Sequence, residues 1–227
     1  MPVRESGDPV IIFDCNGVLV DSERLATAVV SQEFMRVGFP LPPEVIARYF
    51  TGRRPADMFA EIETAAGRKL PADFPSRVAN ATLERFRREL RATAHVTHAL
   101  SWLRGPKCVA SSSSFERIRL SLETTDLIRF FEPYLFSASE VPNGKPAPDL
   151  FLFAAAKMRV RPADCIVVED SPVGVAAAVA AGMTAIGFVG GSHANDHIEA
   201  HLREEGARVI VGDMRALKST IGDLRGW

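Results

Sequence analysis

Three short apolar runs set the tightest limit on how this chain of 227 residues can fold. They are Val10–Phe13 (VIIF), residues 107–110 (KCVA) and residues 165–168 (CIVV). None alternates apolar with polar positions, so each is suited to burial on both faces of a sheet. Each ends in small or acidic residues, and a helical pattern follows. Two further runs, residues 184–189 (TAIGFV) and 207–211 (ARVIV), complete a set of strands separated by helices. Continuous apolar strands alternating with helices make a parallel sheet covered on both sides, a doubly wound α/β fold.

Between residue 21 and about residue 93 the pattern changes. Apolar residues fall at helical spacing: Leu25, Val29 and Phe34; Val45, Ile46 and Tyr49; Met58, Phe59 and Ile62; then Val78, Leu83, Phe86 and Leu90. Breaks fall at Gly38-Phe39-Pro40, Leu41-Pro42-Pro43 and between Leu70 and Pro75. The chain thus divides into an α/β core, residues 1–20 and 94–227, and an all-helical cap, residues 21–93, inserted just after the first strand.

Bulk properties exclude several classes of partner. The net charge is −1, with no electrostatic footprint for nucleic acid or an anionic membrane. The stretch up to Pro9 is polar with no apolar signal core, and no later run reaches the length of a membrane span. Cys15, Cys108 and Cys165 are odd in number and lack metal-ligand spacing, which points to buried thiols in a reducing compartment. A soluble cytoplasmic protein acting on a small molecule is the expectation.

In parallel α/β sheets, ligands bind beyond the carboxyl ends of the strands. Here those ends carry Asp14, then Ser111 to Ser114, then Glu169 and Asp170. Each feature alone has a plain structural reading. Asn16-Gly17 between apolar runs is the pattern of a tight β-hairpin turn. Ser113 with Glu116 three residues on fits a capping box. Ser171-Pro172 reads as the start of a helix, and Lys145, in NGKPAPD, as a solvated lysine. Taken together they suit a phosphoryl group and a divalent cation. Hydroxyls and backbone N–H groups bind phosphate oxygens, lysine neutralises their charge, and a few carboxylates leave Mg²⁺ room for water and phosphate.

Four stretches in this order, FDCNGVLVDSE, VASSS, GKPAPD and VVEDSPVGVAAAVAAGM, resemble the four motifs of the haloacid dehalogenase-like superfamily. The likeness is to its helical-cap branch of phosphatases and phosphoglucomutases. It implies that Asp14 is a nucleophile forming an aspartyl-phosphate intermediate. Ser111 then matches the phosphate-binding hydroxyl, with the N–H of Ser112 beside it. Lys145 offsets repulsion between Asp14 and the phosphate. Asp170, with Glu169 close by, holds Mg²⁺ together with an Asp14 oxygen and the main-chain carbonyl of Asn16.

Asn16 departs from the pattern. Hydrolytic members carry an Asp there, which protonates the leaving alkoxide and then activates water. An amide does neither, so a chain that binds Mg²⁺ and substrate but turns over slowly is expected, general acid–base catalysis being worth about 10²–10⁴-fold. Asn16 is either an engineered Asp→Asn change that traps substrate or a natural residue marking another activity or a silent phosphometabolite-binding protein. The intact remainder of the set favours the first. Related activities fit less well. Pro55 stands where a phosphonate-cleaving relative has its lysine, Glu169-Asp170 argues against a true dehalogenase, and Ala26 stands where a β-phosphoglucomutase has a histidine.

The cap would exclude water and read the leaving group. In FTGRRPADMF, Gly52, Arg53 and Arg54 match a substrate-contacting cap loop, and either arginine has the fork to grip a carboxylate or second phosphate. Glu23 is placed near the hinge. Arg85, Arg87, Arg88 and Arg91 read as a solvated helix face. His95, His98, His193, His197 and His201 read as surface or packing residues, and the i, i+4 pair His197 and His201 lacks a metal motif.

Overall fold

The structure, a computed structural model, describes residues 8–224, and the side chains of Tyr49 and Phe50 are not among the parts described. Most of the polar N-terminal stretch considered above therefore lies outside the described residues. Six strands, β1 (Val10–Phe13), β2 (Lys107–Ser111), β3 (Leu135–Ser137), β4 (Cys165–Glu169), β5 (Thr184–Phe188) and β6 (Val209–Val211), form one sheet in the order β3-β2-β1-β4-β5-β6. Every pairing is parallel. β1 pairs with β2 and β4, so the hairpin reading of Asn16-Gly17 is excluded.

Alternation along each strand explains the unbroken apolar runs. Ile11 and Phe13 enter one core with Val109, Ile166 and Val168. Val10 and Ile12 enter the other with Cys108, Ala110, Cys165 and Val167. Successive side chains point to opposite faces, and helices cover both.

The first strand is followed by α1 (Glu23–Arg36), α2 (Pro43–Phe50), α3 (Pro55–Ala66) and α4 (Phe74–Glu89). They enclose a third cluster, which includes Val30, Phe34, Phe39, Ile46, Met58, Phe59, Ile62, Phe74 and Val78. Phe34 lies at its centre, its ring centroid 4.7 Å from that of Phe74 and 6.0 Å from those of Phe39 and Phe59. α4 ties this cluster to the sheet, because its Val78 belongs to the third core while Phe86 belongs to the first. The remaining helices are α5 (Val96–Trp102), α6 (Phe115–Thr124), α7 (Asp149–Met158), α8 (Pro172–Ala180), α9 (Ile198–Glu204) and α10 (Leu217–Leu224). None among the described residues is long and apolar enough to cross a membrane.

Two local expectations change. β3 has no counterpart in the sequence reading: it is three residues long and carries no β-branched side chain, so it gives almost no periodic signal. The N-cap of α6 is Ser114, whose side chain accepts from the Arg117 N–H at 3.3 Å, and not Ser113. Ser113 is turned instead toward the end of β1. The start of α8 is as expected, with Ser171 accepting from the Gly174 N–H at 3.1 Å and Pro172 at the first helical position.

Candidate active site

Asp14 remains in the sheet's hydrogen-bond ladder one step past β1, its N–H donating to the Val168 carbonyl at 3.0 Å. The chain then turns tightly. The Cys15 carbonyl accepts from the N–H groups of Leu19 (2.9 Å) and Val20 (3.1 Å), and the Gly17 N–H donates to the Val20 carbonyl (2.8 Å). Gly17 is needed here on two counts. Its φ of +73° is left-handed, and a Cβ on it would fall 1.9 Å from Asp170 Oδ2. The Asn-Gly signal therefore describes a real turn, one that folds β1 into the site and does not lead to a neighbouring strand.

Behind Asp14 is a buried charge cluster. Lys145 Nζ lies 2.6 Å from Asp14 Oδ1 and also pairs closely with Glu169 Oε1. Lys145 is 2% exposed, so it is not the solvated lysine its Pro-rich loop suggests. Burial alone would lower the pKa of its ammonium, but Asp14 and Glu169 outweigh that and raise it. The Asp14 carboxyl is raised well above its ordinary value. Burial is the largest cause, and Glu169 and Asp170 add to it against the attraction of Lys145. Glu169 is fully engaged: its Oε2 accepts from the N–H groups of Asp170 (3.1 Å) and Ser171 (3.2 Å) and from Ser171 Oγ (2.9 Å). It holds Lys145 and the turn into α8, and it is not in the cleft wall.

Asp170 differs from Glu169. Its Oδ2 is buried and accepts no hydrogen bond. His193 Nε2 stands 2.8 Å away, at ion-pair distance. Burial disfavours the charged ring, yet Asp170, Glu23 and Asp21 together raise the pKa of His193 to about 9. A buried carboxylate oxygen whose near neighbour is a cationic ring, beside a second carboxylate, suits a hard cation. Among the described residues no three His, Cys, Asp or Glu side chains form a ready-made metal cluster. The oxygens that fit Mg²⁺ are those of Asp14, Asp170 and the Asn16 main chain, a set that leaves several positions to water and phosphate.

The Asn16 side chain is fixed at both ends. Its Nδ2 donates to Ser113 Oγ at 2.8 Å, and its Oδ1 accepts from Ser22 Oγ at 3.2 Å. The cleft in front is small, with a volume of about 80 Å³, and its mouth opens to solvent. Asp14, Asn16, Ser112, Ser113 and Asp170 line it from the sheet edge, and Gly52, Arg53, Glu23 and Arg117 are also in its wall. The cap loop sits directly on the site. Ser112 Oγ donates to the Gly52 carbonyl at 2.7 Å, and a Cβ on Gly52, whose φ is +81°, would fall 2.3 Å from Ser171 Oγ.

The expected residues fall into three groups. Asp14, Asn16, Ser112, Asp170, Gly52 and Arg53 meet at the cleft. Ser111, Lys145 and Glu169 lie behind it, with Ser111 fully buried and its Oγ accepting from the Ser113 N–H at 3.4 Å. Arg54 is directed elsewhere: its guanidinium makes a bidentate pair with Asp57 and donates to the carbonyls of Val141 (3.4 Å) and Pro142 (3.2 Å), joining α3 to the core. Arg53 pairs with Glu61 at 2.7 Å. The sequence reading missed two contributors and misplaced a third. His193 was read as a surface or packing residue. The carboxyl-end rule applied to β5, whose Gly190-Gly191-Ser192-His193 loop follows the strand, would have found it. Ser113 was assigned to a helix cap, and Arg117 carried no signal because α6 resembles any amphipathic helix.

Residues 9–182 match the sequence pattern of a family described as haloacid dehalogenase-like hydrolase. The chain is 30% identical over 184 residues to 6-phosphogluconate phosphatase of Escherichia coli K12, covering 81% of this chain and 83% of that one. It resembles the crystal structure of a conserved haloacid dehalogenase-like protein of unknown function from Agrobacterium tumefaciens C58 at 35% identity and a TM-score of 0.81, covering 96% of this chain and 99% of that one. A HAD family hydrolase from Deinococcus radiodurans R1, solved with bound phosphate and sodium, matches at 29% identity and a TM-score of 0.74, with 98% of each chain covered.

Proposed function

The chain belongs to the haloacid dehalogenase-like hydrolase family, and on that premise we propose that it is a Mg²⁺-dependent phosphatase of small phosphorylated metabolites, of the sugar or sugar-acid phosphate class, slowed by Asn16. The observation that carries this reading is the triad at the end of β1: Asp14 in the cleft wall, Lys145 2.6 Å behind it, and Asp170 beside it with a buried oxygen that accepts no hydrogen bond. The phosphatase name of the Escherichia coli relative and the phosphate bound in the Deinococcus structure support the same substrate class.

In this mechanism an Asp14 oxygen attacks phosphorus in line with the departing alkoxide and forms an aspartyl phosphate. Lys145 opposes the rise that burial imposes on the Asp14 pKa, which favours the ionised nucleophile, and draws charge from the transferring group. The hydroxyl and N–H groups around Ser111 and Ser112 hold phosphate oxygens. Asp14, Asp170 and the Asn16 carbonyl would hold Mg²⁺, which would supply positive charge to offset that of the phosphoryl group. The helices over the cleft exclude water, and Gly52 and Arg53 bring the loop before α3 to its wall. The missing step is proton transfer. Asn16 holds its place between Ser113 and Ser22 but has no proton to give, so the alkoxide leaves unassisted and the acyl phosphate meets no general base.

The test is phosphate release from a panel of sugar and sugar-acid phosphates, with Mg²⁺ and with a chelator in its place. Slow release that the chelator abolishes is expected. Release unaffected by the chelator would remove the metal from the reading. Mg²⁺-dependent binding of phosphate with no release from any substrate would favour a silent binding protein.

A further inference from the structure

Two charged side chains in the cleft wall stand without a hydrogen bond or ion pair. Glu23, at the start of α1, and Arg117, in the first turn of α6, both line the cleft that holds Asp14 and Asn16. Among the described residues neither the Glu23 carboxylate nor the Arg117 guanidinium makes a hydrogen bond or an ion pair, and Arg117 Nε is buried with no acceptor. Other arginines near the cap are paired, as Arg54 is with Asp57 and Arg77 with Glu33. Arg117 is held by a different contact: its guanidinium carbon lies 4.8 Å from the centroid of the Phe86 ring on α4. An aromatic face fixes the guanidinium without satisfying its N–H groups. Both side chains are half-buried, and charges drawn partly out of water without hydrogen-bond partners are costly, so their meeting in one cleft marks a binding surface. Burial and the nearby Asp170 raise the Glu23 pKa, burial lowers that of Arg117, and each draws the other back through space.

We propose that Arg117 and Glu23 read the leaving group of the phosphate ester, Arg117 gripping a carboxylate on it and Glu23 accepting from its hydroxyls. This rests on the phosphatase reading of the same cleft. The charges fit one chemical class. A polyhydroxy acid phosphate offers an anion to the guanidinium, donors to Glu23 and its phosphoryl group to Asp14. Arg117 also lines a larger apolar groove between α3, α4 and α6, which shares Pro55, Ser112 and Ser113 with the cleft. An extended leaving group therefore has room to run past the guanidinium.

Because Asn16 slows turnover, the test can read binding to the full-length chain by titration calorimetry with Mg²⁺ present. Three probes separate the contributions: 6-phosphogluconate, glucitol 6-phosphate, in which a hydroxymethyl group replaces the carboxylate, and inorganic phosphate. The acid is expected to bind about 10- to 100-fold more tightly than the alcohol, as a charge-assisted hydrogen bond predicts. Arg117→Met removes that preference and leaves inorganic phosphate unchanged. Arg117→Lys, which keeps the stem and charge but not the flat fork, retains part of the preference and serves if the methionine variant unfolds. Glu23→Gln weakens both sugar ligands alike. Equal affinity for acid and alcohol in the unaltered chain, or a preference that survives both Arg117 variants, would overturn the assignment. If no version binds inorganic phosphate, the phosphatase reading itself fails and the assignment falls with it.

Discussion

Asn16 occupies a seat built from two serine hydroxyls, and hydroxyls donate as readily as they accept. A carboxylate would fit the same seat, so Asn16→Asp should fold without strain. Its neighbours are less tolerant. Gly17→Ala forces a side chain into a left-handed backbone and against Asp170 Oδ2. A loss of about 1–3 kcal/mol in urea denaturation is expected, together with weakened Mg²⁺ binding. Lys145→Met leaves Asp14 and Glu169 buried without their cation, and breaking such a pair costs about 3–5 kcal/mol. The sign of its pH dependence follows from Asp14. In the variant the raised folded-state pKa of Asp14 rises further, so the penalty grows as the pH rises toward that pKa and shrinks as the pH falls and the carboxyl takes a proton. Denaturation curves at several pH values check this, and a penalty that grows on acidification would contradict it. At this scale, residues within a contiguous motif, such as Asp14 and Asp170, were legible in the sequence. Lys145 was legible only through the order of the motifs, since its loop suggested exposure. Arg117 was illegible because its place in the cleft comes from tertiary proximity, and His193 was within reach only of the carboxyl-end rule applied to β5.

At the scale of elements, legibility followed length and burial. β1, β2 and β4 were visible because each faces a core on both sides, whereas three-residue β3 gave no period to read. The insertion was visible as four helical stretches but not as a cluster centred on Phe34, because contacts among four helices leave no periodic mark in any one of them. Phe34→Ala removes a ring packed against three others and should cost about 3–5 kcal/mol. α4 carries Val78 into that cluster and Phe86 into the sheet core, so the loss should appear in one cooperative transition. Circular dichroism and tryptophan fluorescence followed together through urea test this. Two separated transitions would mean that α4 does not couple the helical insertion to the sheet.

Across the whole molecule, a parallel sheet buried on both faces brings residues more than a hundred positions apart to one edge, as it does Asp14 and Lys145. The same burial encloses the free thiols of Cys15, Cys108 and Cys165 and raises the pKa of each, that of Cys165 to about 12. No thiol should react with an aromatic disulfide reagent in the folded protein at mildly alkaline pH, and all three should react once it is unfolded. In the mechanism proposed above, the site at the sheet edge lacks only its proton carrier. The most direct measurement is phosphate release with Mg²⁺ across the sugar-phosphate panel, for the chain as it stands beside Asn16→Asp. The aspartate version should be faster by about 10²–10⁴-fold on at least one substrate. Equal rates in the two versions would mean that residue 16 is not the acid–base position and that the proposed mechanism is wrong.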